Sequence, residues 1–284
     1  MPALKAPDGT RLAYRVLGEG TGAPVVCLPG GPMRDSVCLG DLGGLPAHRR
    51  LIVADQRGAG RSATPDDPAS YRCDRLVGDV EALRVHLGLG RMDLLAHSAA
   101  ANLAVRYVER YPHRVGRLVL VTPGTDAAGL GAGGDDRREV ARLRSDEPWY
   151  PAASAAFEAI DAGAAAAAAA ADWVTVAPFL YGRWDEAAQA HRAAEEKQWN
   201  EAAAEVFGSE GAFDPDATRA ALAALGTPVL VLAGEFDLAS PPRVVARLAA
   251  LFPRAESVVQ PGAGHYPWLD DADRFVSVTA RFLA

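Results

Sequence analysis

The run Ala96-His97-Ser98-Ala99-Ala100 places a serine where an apolar segment, Met92 to Ala96, gives way at once to a helical pattern. A strand-to-helix turn this abrupt crowds the backbone and admits only small residues two positions either side of its centre; the familiar pattern is G-x-S-x-G. Alanine, the next smallest residue, stands at both glycine positions here, so the geometry survives. Ser98 alone would equally serve as a helix N-cap. To act as a nucleophile it needs a base to take its proton. Of the six histidines, His86 falls on a surface helix, His113 follows a helix end, His48 sits among arginines and His191 lies in a helical stretch. His97 adjoins the serine and reads as a packed or capping imidazole. His265 closes Gly262-Ala263-Gly264-His265, a flexible loop after the last apolar run, from which a base reaches across strand ends. A carboxylate must orient that base. Asp237, in Gly234-Glu235-Phe236-Asp237, follows another strand, with a plain turn residue as its other reading. Asp126, after the preceding strand, is a rival acid.

A carbonyl attacked by Ser98 becomes an oxyanion, which preorganised donors must hold. One is the backbone N–H of Ala99, at a helix N-terminus whose dipole helps. The other belongs to the loop Pro29-Gly30-Gly31-Pro32, where Gly31 is the first choice and Gly30 the second; Pro32 has no N–H. No pair of histidines has metal-ligand spacing, so neither metal nor cofactor is expected.

These residues need a scaffold that brings distant loops together. Up to Pro123, short β-branched runs alternate with helical patterns, the signature of a mainly parallel sheet with crossover helices. Arg11 to Leu17 alternates apolar and polar residues and suits an antiparallel edge strand. Pro24 to Leu28, Leu51 to Ala54, Met92 to Ala96 and Val115 to Val121 read as further strands. Asp74 to Leu87 and Ala99 to Tyr111 read as helices. After a glycine-rich joint, Gly129 to Gly134, the chain is alanine-rich and helical to about Leu225, with a plain helix expected over Gly163 to Ala171. Alternation then resumes: Pro228 to Ala233 strand, Pro242 to Leu251 helix, Ser257 to Val259 strand, Asp270 to Leu283 helix. In such sheets ligands sit outside the carboxyl ends of the strands, which is where Ser98, Asp237 and His265 fall.

With these residues in place, the chain resembles the α/β-hydrolase superfamily, whose triads run in the order Ser98, Asp237, His265. Within it, the similarity is to the proline iminopeptidase-like branch. It is carried by Gly30-Gly31-Pro32, Asp55-Gln56-Arg57-Gly58-Ala59-Gly60-Arg61-Ser62, the turn around Ser98, Gly234 to Asp237, and Gly262 to His265 with Pro267. The resemblance implies a mostly parallel central sheet flanked by helices, with a helical cap inserted after the sixth strand. The core would occupy residues 1–124 and 227–284 and the cap 125–226. It also implies that Arg57, Gly58 and Gly60 serve structure. Two departures stand out: Pro29 replaces the histidine that usually opens the oxyanion loop, and Ala99 replaces a bulky aromatic. Proline iminopeptidases bind the substrate's free amino group with cap carboxylates. The segment Glu195 to Glu201 with Glu205 beyond is loosely similar, including Trp199. On a helix Glu201 and Glu205 share a face, so a paired amine site and a solvated acidic face are both open readings. Cap aromatics (Trp149, Trp173, Trp184, Trp199, Phe179, Tyr181, Phe207) would form a ceiling over Ser98 or the cap's own core.

The implied activity is cofactor-independent cleavage of a small, partly apolar ester, lactone or amide, with an N-terminal aminoacyl bond as the more specific version. Acyl transfer or cyclisation on the same machinery, and a non-catalytic ligand-binding role, are the rivals. Composition narrows the partners. Across 284 residues Lys plus Arg number 29 and Asp plus Glu 36, a net charge of −7 that argues against nucleic-acid or anionic-membrane surfaces. Three cysteines without CxxC pairing and an opening Met1-Pro2-Ala3-Leu4-Lys5 without an apolar core suggest a cytoplasmic location.

Overall fold

Runs of valine, leucine and isoleucine become the strands of one eight-stranded sheet in the computed structural model, which describes residues 1–20, 22–163 and 173–284. The strands are β1 (Ala3–Lys5), β2 (Arg11–Leu17), β3 (Val25–Leu28), β4 (Leu51–Ala54), β5 (Met92–His97), β6 (Val115–Val121), β7 (Val229–Gly234) and β8 (Ala255–Gln260). Their spatial order is β1-β2-β4-β3-β5-β6-β7-β8. The β1–β2 and β2–β4 pairs are antiparallel and the rest parallel. Every residue of β3, β4, β5 and β7 is buried, which is why these strands read as continuous apolar runs rather than alternating ones.

Side-chain alternation sends Val26, Leu28 and Ile52 to one face of the sheet and Val25, Cys27 and Val53 to the other. The first face is covered by α1 (Cys73–His86) and α2 (Ala100–Arg110), through Leu76, Val80, Leu103 and Tyr107. The second is closed by the turn at Leu42–Ala47 and by the C-terminal helix, through Leu42, Leu45, Phe275 and Leu283. Between β6 and β7 lie α3 (Gly134–Arg142), α4 (Tyr150–Asp161), α5 (Glu186–Gln198), α6 (Glu201–Phe207) and α7 (Pro215–Ala223), with no strand among the described residues of that stretch. Apart from Gly163, the helix expected over Gly163 to Ala171 lies outside the described residues.

Three expectations change. Arg11–Leu17 is not the edge strand, because Ala3–Lys5 pairs outside it in the register Leu4↔Leu12. The terminal helix, α10 (Ala272–Leu283), starts two residues later than expected, capped by the Asp271 side chain through the Arg274 N–H, and a short helix not expected from the sequence, α9 (Pro267–Asp270), precedes it. After β7 comes α8 (Pro242–Ala249), ending two residues earlier than the apolar spacing implies.

Register decides what the loops can do. Leu28 pairs with Ala96, so the loops leaving β3 and β5, which carry Gly31 and Ser98, emerge side by side. Gly234 pairs with Gln260, which does the same for the loops carrying Asp237 and His265.

Candidate active site

Ser98 has φ 54°, in the left-handed region that side chains with a Cβ rarely adopt. Tight bonding holds it there. Its N–H donates to the Val121 carbonyl at 3.0 Å, and its own carbonyl accepts from Ala101 and Gly124, each at 2.9 Å. Ala96 and Ala100, the two flanking positions, are fully enclosed. The turn therefore lifts one hydroxyl off the strand end just as α2 begins.

Asp237 has both oxygens assigned. Its Oδ1 accepts the Ala239 and Ser240 N–H groups at 2.9 and 3.1 Å. Its Oδ2 accepts the His265 Nδ1–H at 2.8 Å, and the Ser98 Oγ–H donates to His265 Nε2 at 2.8 Å. Asp237 has no exposed surface and His265 is 6% exposed, so the relay runs through a water-poor interior with only the serine end open. Asp126 is out of this chain: it is exposed and bonded by Asn102 Nδ2 at 2.9 Å.

Gly30 and Gly31 line the same cavity as Ser98. A Cβ on Gly30 would lie 2.7 Å from Ser98 Cβ and 2.9 Å from the His97 carbonyl oxygen, so only glycine fits. Gly31 has φ 122°. Among the described residues, no turn or loop hydrogen bond uses the N–H of Gly31 or of Ala99, the residue preceding α2. The loop is braced from beneath, where Gln56 Nε2 donates to the Pro29 carbonyl at 2.8 Å. Gln56 is itself held in the turn after β4, where Arg57 grips Asp79 through two bonds of 2.8 and 2.6 Å. Burial pushes the Asp79 carboxyl up even so.

The cavity measures about 660 Å³, with Trp173, Leu180 and Trp199 contributed by the stretch between β6 and β7. Trp199 is anchored by its Nε1–H on the Pro32 carbonyl at 2.8 Å. The other aromatics of the expected cap pack elsewhere: Trp149 and Phe179 in a separate cluster with Leu238, Tyr181 and Trp184 beside the second face of the sheet, Phe207 against the first. Glu201 lines the cavity, whereas Glu205 is exposed outside it, so the paired site, one of the two open readings, does not form there.

Arg34, which local spacing did not single out, stands in the wall with Glu195, the first residue of the segment noted above. Arg34, 3% exposed, donates to Gln198 Oε1 at 2.9 Å, Tyr266 Oη at 3.2 Å and the His191 carbonyl at 3.3 Å. Glu195 Oε2 lies 3.6 Å from Arg34 and 3.5 Å from Arg192. Arg34 follows Gly30-Gly31-Pro32 by two residues, the one signal in the sequence that hinted at its place.

Burial pushes the Cys38 thiol up to about 11, and raises Cys27 and Cys73 further, so none supplies a thiolate. All three are free. Among the described residues, no cluster of three His, Cys, Asp or Glu side chains is arranged to hold a metal ion, and no helix is long and apolar enough to cross a membrane.

An eight-stranded sheet of this order, a strained serine at one strand end and a histidine–aspartate pair from later loops define a class. Residues 23–272 match the family described as alpha/beta hydrolase fold, and the chain belongs to it. Its resemblance within that family is to the proline iminopeptidases. It is 25% identical to a proline iminopeptidase of Heyndrickxia coagulans over 97% of this chain and 96% of that protein. A proline iminopeptidase of Xylella fastidiosa (strain 9a5c) is 37% identical over a stretch covering 41% of this chain and 37% of its own length. Among solved structures, an esterase from Rhodococcus sp. ECU1013 superposes with a TM-score of 0.74 at 26% identity, covering 99% of this chain and 98% of that one.

Proposed function

We propose that the protein is a serine hydrolase with Ser98 as nucleophile, His265 as base and acid, and Asp237 as the orienting carboxylate. The observation carrying this is the unbroken hydrogen-bond chain from Ser98 through His265 to Asp237, open at its serine end to a 660 Å³ cavity. His265 takes the hydroxyl proton as Ser98 Oγ bonds to the substrate carbonyl carbon. Asp237 holds the imidazole by Nδ1 and stabilises its charged form. The N–H groups of Ala99 and Gly31 hold the oxyanion, with Gly30 as the residue that lets the loop approach. As the intermediate collapses, His265 returns the proton to the departing alcohol or amine. Water then repeats the sequence, releasing the acid and restoring Ser98. No metal or cofactor enters any step.

Residues 125–226 act as the cap in this reading, and the substrate is a small, partly apolar ester, lactone or amide. For the more specific version, a free-amine peptide, a carboxylate must be left over to receive an ammonium. Glu195 is flanked by two guanidinium groups within 3.6 Å, each already comparable in strength to what an ammonium at that distance would gain. Glu201 lines the cavity but is exposed in the first turn of α6, so water screens what it would offer an ammonium. The wall therefore favours uncharged esters and lactones over aminoacyl amides.

A panel of p-nitrophenyl acyl esters and aminoacyl amides, proline included, tests both levels. Ester turnover that disappears in Ser98→Ala, together with loss of fluorophosphonate labelling, is the expected result. Retained turnover in Ser98→Ala removes the mechanism; preference for prolyl amides over esters removes the substrate assignment alone. Water-derived oxygen in the acid product separates hydrolysis from acyl transfer.

A further inference from the structure

His265 hangs from a loop preceded by glycine, so its ring is only as well placed as its own peptide. That peptide is bonded at both ends. Its N–H donates to the Leu180 carbonyl at 2.8 Å. Its carbonyl accepts two donors, Thr122 Oγ1–H at 2.9 Å and His97 Nε2–H at 3.0 Å. Resting on the hydrolase reading above, we infer that His97 is a positioning residue for His265, holding the carbonyl of the base through its Nε2–H.

Three observations separate this from plain packing. His97 is the last residue of β5 and 2% exposed, with its ring centroid 4.9, 5.3 and 4.8 Å from those of His265, Tyr266 and Trp268, so it cannot swing away. Its Nδ1 is buried without a hydrogen-bond partner. A phenyl or thioether side chain would fill this space without stranding an acceptor, and the one polar interaction the imidazole adds is the bond to His265. Burial, reinforced by the nearby His265, Arg34 and His191, keeps the ring's proton affinity far below normal, so its Nε2–H tautomer persists across the working pH range. The stranded Nδ1 also faces Gly30, where a Cβ would come within 3.2 Å of it. One ring thus abuts both the loop that carries the base and the loop that holds the oxyanion.

The test compares His97→Gln, whose Nε2–H reaches the same carbonyl, with His97→Met, which matches the bulk and lacks the donor. The readouts are kcat and KM for p-nitrophenyl butyrate and the rate of fluorophosphonate labelling, each scaled to the folded fraction from near-ultraviolet circular dichroism. His97→Met should lower kcat and labelling by about ten- to a hundredfold with KM within about threefold, the scale of a misplacement near 1 Å. His97→Gln should recover most of that loss. His97→Asn, whose amide stops short of the carbonyl, gives the same expected loss should the methionine variant not fold. Full activity in His97→Met, equal losses in Gln and Met, or a loss that vanishes on scaling to folded protein each overturn the inference. A wild type that neither labels nor turns over ester, or a Ser98→Ala that still does both, is a different result: it defeats the hydrolase reading, and this inference falls with it.

Discussion

Asp237 divides its carboxylate between two tasks, one oxygen for the turn through Ala239 and Ser240 and the other for His265. An asparagine separates them. In Asp237→Asn the amide oxygen still receives the turn's N–H groups, so the fold should persist with Tm within a few degrees. The amide nitrogen then faces Nδ1 and selects the wrong imidazole tautomer, and kcat on an ester should fall by about 10³–10⁴. Steady-state kinetics beside a thermal melt decide it, and near-normal kcat would remove Asp237 from the relay. Asp237, Ser98 and His265 could be proposed from the sequence because each follows a strand on the side where such sheets expose ligand sites, and the structure brings them within hydrogen-bond distance. Arg34 could not be, because its partner Gln198 lies 164 residues away and no local pattern announces such a pairing. Glu205 stayed open between two readings for a related reason: sharing a helix face with Glu201 says nothing of which way that face points.

The elements that aim these side chains are the turn at Ser98 and the loop after β3, and they meet at Gly30. In Gly30→Ala the added methyl meets Ser98 Cβ and the His97 carbonyl, both fixed by strand and turn, so the loop must move. The overpacking should cost about 1–3 kcal/mol in a urea titration. Displacing an oxyanion donor should cost kcat about 10²–10³-fold, more than the stability change explains. Unchanged kcat in a destabilised protein would mean that the loop does not hold the oxyanion. At this scale the central strands were readable because burial on both faces makes them apolar throughout. β1 was missed because three residues carry no period. β8 reads poorly because it is the exposed edge, with Glu256, Ser257 and Val259 facing solvent. The helix Pro267–Asp270 was missed for the same reason as β1: four residues carry no period.

Taken whole, the molecule depends on how the helices between β6 and β7 are fastened over the strand ends. Asp270 accepts the N–H groups of Gly182, Arg183 and Gly264, joining that region to the loop of the base. On the far side, His191 in α5 donates its Nε2–H to the Cys38 carbonyl at 3.1 Å and accepts the Tyr181 hydroxyl at Nδ1 at 2.8 Å. The Tyr181 bond requires a neutral ring, whereas the Cys38 bond survives protonation. Burial first, and then the Arg34 charge, bring its pKa from 6.5 down to about 4. Between those values the unfolded chain binds a proton that the folded chain refuses, so stability is full above about pH 6.5 and falls as the pH drops toward 4. The slope is at most about 1.4 kcal/mol per pH unit for this one group. His97, buried and neutral, adds to the decline with the same sign. His191→Gln keeps a donor for Cys38 and cannot titrate. Urea midpoints measured from pH 7.5 to 4.5 should therefore fall less steeply in the variant than in the wild type, by roughly one proton's worth. Identical slopes would show that His191 takes up its proton in the folded state without penalty, and that acid sensitivity at this junction arises elsewhere.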